Sequence, residues 1–371
     1  MRPLILSCNT GAGHNTAGKA VREQFIKRGV DCQLMDSLSF ASESLSRFVS
    51  DFYVNLTVKA PGLFGAGYRA CEATSSPKIR SASYIANTGY AHTLYRYLVE
   101  NKIDTVVMTH IFPSQCRTHI RKRYHMHGLK TYLISTDYNC CPYVEETSTD
   151  AFFIPHDSIT SEFIRRGVGE ERVLVSGIPT QEKFSRRMDK RAAKAQLGLP
   201  QDAPIILVMG GSMGFGNIED MVRLLRNRMP DRANIVVLAG NNERLKASLR
   251  ARFGDDTRVH VIDFTLEADV YMDACDVLLS KPGGLSSTEA AVKNVPLVHM
   301  APIPGCETDN LLFFNHFGMS VSGDSPSETA DAAIRLLERP ELQKAVMDAQ
   351  RQNTNPHAAA DIVHYIMEHA D

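Results

Sequence analysis

Short apolar runs of strand length alternate with helical periodicity along nearly all of this 371-residue chain, and that alternation leaves few folds open to it. The first half offers strands near 3–8, 30–35, 104–109, 130–135, 151–154 and 172–176. The second offers them near 204–209, 234–239, 258–264, 276–280 and 295–300. A strand that returns to its sheet after a crossing helix runs parallel to the strand before it, so the pattern predicts α/β architecture with mainly parallel sheets. The two halves also begin alike. Leu4-Ile5-Leu6-Ser7 runs into Thr10-Gly11-Ala12-Gly13-His14, and Ile205–Met209 runs into Gly210-Gly211-Ser212-Met213-Gly214. A first strand, a glycine loop and a helix, occurring twice, predict two doubly wound Rossmann-like domains with ligands at their carboxyl ends. Neither loop has the glycine spacing of a dinucleotide fingerprint.

The expected boundaries are 1–178 and 179–355, with the polar stretch 181–194 and the stop Gly198-Leu199-Pro200 following the junction. A closing helix over 356–371 is a candidate to pack back on the first domain. Between 43 and 100 no strand is expected. Leu45, Phe48, Val49, Phe52 and Leu56 fall on one helical face, expected to pack on the sheet. The apolar segment 58–68 after them is rich in glycine with one proline, and is expected to be an exposed loop.

The densest chemistry lies at 276–289. Asp276–Ser280 is a strand, Lys281-Pro282-Gly283-Gly284 breaks it, and Leu285-Ser286-Ser287-Thr288-Glu289 opens a helix. Unpaired N–H groups and the positive end of the helix dipole make such a corner an anion site, where an ordinary capped αβ turn is the plainer alternative. Ser286, Ser287 and Thr288 can add donors, and Glu289 is one turn in, within reach of a ribose diol.

Composition limits the alternatives. Hydrophobic residues make up 43% and charged residues 22%, as in soluble globular proteins. No run approaches the roughly 20 apolar residues that span a bilayer, and the start reads as a strand rather than a signal peptide. Eight scattered cysteines suit reduced thiols in a cytoplasm. The net charge of −1 divides into 20 Lys+Arg against 16 Asp+Glu over residues 1–178, and 21 against 26 over the rest. That is too mild for a nucleic-acid binder. The metal expectation is none: Cys-x-x-Cys is absent, and His125 and His127 lack further ligands in sequence.

Downstream of the anion corner, Ala301-Pro302-Ile303-Pro304-Gly305-Cys306-Glu307-Thr308-Asp309-Asn310 leads from a strand into a helix. Beside Ser280–Glu289 this resembles the C-terminal half of a GT-B glycosyltransferase. Thr10-Gly11-x-Gly13-His14-x-x-Ala17, Thr109-His110, Thr136-Asp137-Tyr138 and Gly177-Ile178-Pro179 resemble more narrowly the monogalactosyldiacylglycerol synthase and processive diacylglycerol glucosyltransferase group, related to the peptidoglycan lipid I N-acetylglucosaminyltransferase. The resemblance covers about residues 4–320. It implies a GT-B fold and an inverting transfer of a hexose from a UDP-sugar to a lipid acceptor, most readily diacylglycerol. It further implies attachment to the cytoplasmic membrane surface, and no cofactor or obligatory metal, in keeping with the absence of Asp-x-Asp.

The roles expected, the donor-site ones from this resemblance and the others from the residues' own places in the chain, are these. His14 is the general base, with Asp137 supporting the imidazole or serving only as a turn aspartate. Gly210, Gly211 and Ser212 approach the pyrophosphate, together with Gly283, Gly284, Ser286, Ser287 and Thr288. Phe264 and Thr265 border the uracil, Glu289 holds the ribose, and Glu307, Asp309 and Asn310 hold the sugar. Gly13 and His110 line the acceptor pocket, or His110, closing a strand, is only structural. Leu63 and Phe64 enter the membrane, with Arg117, Arg121, Lys122, Arg123 and Lys130 attracting anionic head groups or forming a solvated face. Cys306 stands where the family usually has glutamine, which leaves the sugar open. Other readings on the same scaffold are a UDP-GlcNAc transferase acting on a lipid-linked peptidoglycan precursor, a nucleotide-sugar 2-epimerase, and a UDP-sugar-binding module without turnover.

Overall fold

A computed structural model describes residues 1–76, 80–211, 217–229 and 233–369. The chain divides into two compact units. The first comprises Met1–Gln181, Ile303–Cys306 and Asn355–Asp371; the second comprises Glu182–Pro302 and Glu307–Thr354.

The first unit is built on β1 (Pro3–Ser7), β2 (Gln33–Asp36), β3 (Thr105–Met108), β4 (Lys130–Ile134), β5 (Ala151–Ile154) and β6 (Val173–Val175). All pairs are parallel, in the order β2-β1-β3-β4-β5-β6. The order reverses at β1, and β1 and β3 end level, with Leu6 opposite Met108. A reversal of this kind opens a crevice beyond the carboxyl ends of the strands, because the flanking connections leave to opposite faces. Leu4, Ile5, Leu6, Val106, Val107 and Met108 are fully buried, as strands covered on both faces must be.

Among its helices are α1 (Ala12–Lys27), α2 (Glu43–Lys59), α3 (Pro61–Thr74) and α4 (Ile111–Arg123). α1 buries Ala17, Ala20, Val21 and Phe25 at helical spacing against the sheet.

The second unit is built on β7 (Ile205–Met209), β8 (Asn234–Leu238), β9 (Val259–Ile262), β10 (Val277–Ser280), β11 (Leu297–His299) and β12 (Val321–Ser322). These are again parallel, in the order β12-β11-β10-β7-β8-β9. Its reversal lies between β7 and β10, which end level at Met209 and Ser280. Helices α5 (Gly284–Lys293) and α6 (Cys306–His316) come after β10 and β11. The last helix, α7 (Ala358–Glu368), packs on α1 and sinks Ile362, Val363 and Ile366 into the core around Ile5, Val21 and Phe25.

Two expectations fail between 43 and 74. Residues 61–74 are helix, not loop. Pro61 occupies the first turn, where its missing N–H and preset φ suit a helix start. Gly65 leaves room for Pro304, whose ring a Cβ on residue 65 would strike. Nor is the α2 stripe packed on the sheet. Val49 reaches the core, but Phe48 is 67% and Phe52 58% exposed, and their rings stack at 6.3 Å.

The basic run also divides. Arg117 is buried and donates from Nη2 to the carbonyls of Met126 and Leu129. Arg121 donates to Ser148, which leaves Lys122 and Arg123 as the exposed cations of α4.

Candidate functional site

In the first unit the loop after β1 turns into α1 and carries His14 into its first turn, just beyond Gly13. The loop after β3 carries His110, the N-cap of α4, whose ring nitrogen Nδ1 accepts from the Phe112 N–H at 3.1 Å. Both loops leave the sheet at its reversal, so the two rings meet edge to face with centroids 4.6 Å apart.

His14 Nδ1 lies 2.9 Å from the Thr109 carbonyl and 2.9 Å from Thr136 Oγ1. A carbonyl can only accept, so Nδ1 carries the proton and Nε2 presents a lone pair. Burial pulls the His14 imidazole down to about 4, against a smaller upward pull from the Thr109 carbonyl. Burial, and secondarily His14, holds His110 well below its ordinary 6.5. Both rings are therefore neutral at pH 7. Asp137 lines the same cavity, but the atoms that orient the imidazole are those of Thr109 and Thr136. A main-chain carbonyl leaves no trace in sequence, so this partner could not be read there. Thr136 could have been, as part of the Thr136-Asp137-Tyr138 motif.

The cavity measures about 510 Å³, inside the range of small-ligand sites. Its walls are mostly apolar: Phe52, Tyr53, Leu56, Leu63 and Phe64 from α2 and α3, and Ile111, Phe112, Leu133 and Ile134 from the sheet side. Tyr68, held by the side-chain amide of Asn139 at 2.9 Å, and Cys306 also line it. Leu63 is 67% exposed, whereas Phe64 is half-buried against the Tyr53 ring at 5.3 Å.

In the second unit, Gly210 and Gly211 leave β7 beside Lys281, which leaves β10. Gly211 has φ +71°, and a Cβ there would come within 3.0 Å of the Lys281 side chain. Ser212 lies outside the described residues. Gly283 caps α5, and the backbone N–H groups of Gly284, Leu285 and Ser286 have no intrahelical partner, as at any helix start.

The three hydroxyls behind them are not equivalent. Ser287 is fully buried and bonds His299 Nε2 at 2.9 Å, while Thr288 donates to the Gly284 carbonyl. Only Ser286 keeps a half-exposed hydroxyl without a partner among the described residues. Successive residues of a helix point in different directions, so a run of three hydroxyls cannot all face one ligand.

Glu289 is buried, and burial raises its carboxyl to about 8, with Lys183 drawing it down and Asp269 pushing it up. Lys281 is paired with Glu307. Asn310 is fully buried and donates to the Pro282 carbonyl at 3.0 Å, holding the glycine corner rather than facing outward. Asp309 is half-buried. Phe264 is 56% exposed, and Thr265 accepts from the Glu267 N–H. Among the described residues no group of three or more His, Cys, Asp or Glu is placed to hold a metal ion. No described helix is long and apolar enough to cross a membrane.

Known proteins match in two blocks. Residues 14–180 match the model of monogalactosyldiacylglycerol (MGDG) synthase, and residues 205–307 that of the glycosyltransferase family 28 C-terminal domain. A processive diacylglycerol beta-glucosyltransferase of Staphylococcus saprophyticus is 25% identical over 358 residues, covering 94% of this chain and 88% of that protein. A protein of the same name from Bacillus cytotoxicus is 25% identical over 368 residues, covering 98% and 93%. Among solved structures, MurG of Acinetobacter baumannii superposes with a TM-score of 0.66 at 14% identity, over 99% of both chains. The UDP-GlcNAc 2-epimerase of Neisseria meningitidis, bound to UDP-GlcNAc, superposes with 0.63 at 15% identity, over 99% and 100%. The fold is GT-B, with an MGDG synthase block first and a family 28 block second, as the sequence motifs imply.

Proposed function

We propose that this GT-B chain, which joins an MGDG synthase block to a glycosyltransferase family 28 block, is an inverting hexosyltransferase that glycosylates diacylglycerol from a UDP-sugar. The observation that carries the reading is the His14 imidazole. It is neutral, anchored through Nδ1–H to a carbonyl, and carries a lone pair on Nε2 at the wall of an apolar cavity. A lipid alcohol entering that cavity passes its proton to Nε2 as its oxygen attacks C1 of the sugar. The bond from C1 to the phosphate oxygen breaks with its electron pair and UDP leaves, so direct attack from the far side inverts the anomeric carbon. General-base help of this kind is worth roughly 10²–10⁴-fold.

The charge on the departing diphosphate falls to the N–H groups of Gly284, Leu285 and Ser286, to the close backbone of Gly210 and Gly211, and to the α5 dipole. Preorganised donors supply this stabilisation without a metal. Glu289 receives the ribose diol, Phe264 with Thr265 the uracil, and Glu307 with Asp309 the sugar.

Phe48, Phe52 and Leu63 form the apolar face on which the protein meets the inner leaflet as a peripheral protein, with Lys122 and Arg123 adding attraction to anionic lipid. The names of the similar proteins make glucose the first donor to try.

The test is incubation with UDP-glucose, UDP-galactose or UDP-GlcNAc and liposomes containing diacylglycerol, then mass spectrometry of the lipid fraction. A hexosyl-diacylglycerol product of inverted configuration supports the reading. Transfer only to a lipid-linked peptidoglycan precursor, epimerisation of the donor, or UDP binding without turnover would each refute it.

A further inference from the structure

The two imidazoles in the cavity carry opposite tautomers. His14 uses Nδ1–H toward the Thr109 carbonyl and leaves Nε2 as an acceptor. His110 is the reverse. The Phe112 N–H can only donate, so His110 Nδ1 holds the lone pair and its proton sits on Nε2. Neither Nε2 has a protein partner among the described residues, and both residues line the cavity. Burial disfavours a charge on His110, so its donor form persists across neutral pH.

An acceptor nitrogen and a donor N–H therefore stand side by side on rings whose centroids are 4.6 Å apart. Deprotonating an alcohol needs the acceptor alone. A donor on the same oxygen would draw electron density from the nucleophile, so its productive target is a second, proton-free oxygen close by.

We propose that His110 is a specificity-determining residue that donates its Nε2–H to the ester carbonyl adjacent to the hydroxyl His14 deprotonates, so the site selects hydroxy-esters over hydroxy-ethers. This rests on diacylglycerol being the acceptor. An acceptor without the carbonyl leaves the N–H facing hydrocarbon, and a buried donor left unpaired is costly. A site built around one such hydrogen bond should disfavour the ether by roughly tenfold to a hundredfold in kcat/KM.

The experiment compares liposomes carrying 1,2-diacylglycerol with liposomes carrying the 1,2-dialkylglycerol of the same chain length. Wild type, His110→Ser and His110→Asn are assayed with each. Serine keeps an oxygen to cap α4 but cannot reach the carbonyl; asparagine keeps the cap and restores an N–H. Wild type should prefer the ester. Serine should lose that preference by weakening the ester reaction alone, chiefly in KM, and asparagine should recover part of it.

The ester-to-ether ratio of the unaltered enzyme needs no variant. A ratio near one overturns the proposal while leaving diacylglycerol as acceptor. Equal loss on both acceptors in the serine variant also overturns it, since that is the signature of a helix cap only. If wild type glycosylates neither lipid, the acceptor assignment fails and the proposal falls with it.

Discussion

The two units place their functional groups at equivalent points of the same topology and equip those points with opposite chemistry. Each sheet reverses its strand order next to its first strand, and each has level strand ends there, β1 with β3 and β7 with β10. In the first unit the loops at that point carry imidazoles and border an apolar cavity. In the second they carry glycines, a helix start and a buried carboxyl. Strand order decides where a ligand lies. The few residues after each strand decide whether the switch point presents imidazole nitrogens or helix N–H groups.

If that division of labour holds, damage to one switch point should leave the other intact. His14→Ala carries the largest expected effect, a loss of roughly 10²–10⁴ in kcat, with UDP affinity by calorimetry unchanged. A fall in UDP affinity of similar size would erase the distinction. Next is the apolar face of the first unit. Phe48→Asp, on the exposed face of α2 and outside the cavity wall, should cut liposome flotation roughly tenfold, since the exchange removes about 1.5–3 kcal/mol of burial, while transfer to a detergent-dispersed acceptor survives.

On the other side, Glu289→Gln resembles the protonated carboxyl that burial favours. It should keep the melting temperature at pH 7 and raise the UDP-sugar KM by up to roughly tenfold, through one altered neutral hydrogen bond to the ribose.

Acid gives a subtler contrast. His14 and His110 fold with lowered pKa values, so their contribution to stability is full above 6.5 and is lost as pH falls, for His14 through about 4. In the second unit His299, at about 3, behaves likewise. Glu289, raised to about 8, acts in the opposite sense, because its folded form is favoured as pH drops from 8 toward 4.5. Hydrogen exchange should therefore show protection of β1 and β3 falling more than that of β7 and β10 between pH 7 and 5. The smallest effect is none. Exhaustive chelation with EDTA should leave turnover unchanged, and a metal-dependent rate would show that the α5 corner does not meet the diphosphate charge alone.

Much of the scaffold could be read from the chain, because each buried parallel strand is a short apolar run with a breaker on either side. β12 escaped because two residues, Val321 and Ser322, have no period. The helix α3 escaped because a glycine-rich segment after proline looks like a loop until its neighbour is known, and Pro304 supplies the reason for Gly65. Periodicity correctly gathered Phe48 and Phe52 on one face of α2, but could not say whether protein or another phase covers that face. At the sites, His14 stood out through its glycine motif. The burial of Asn310 and the opposed tautomers of the imidazoles depend on backbone groups that composition does not encode, and that of Ser287 on the side chain of His299, which only the fold brings near.

The route of the chain has a practical consequence for recombination. It departs from the first unit after Gln181, revisits it for Ile303–Cys306 and comes home at Asn355. The homecoming stretch of sequence is no ornament, since Ile362, Val363 and Ile366 fill a core that α1 and the first sheet need. A simple two-piece gene fusion at the midpoint would therefore import a foreign tail into that core. Shuffling donor preferences among relatives calls instead for an insertion-style exchange of the intervening stretch, with the native ending kept in place.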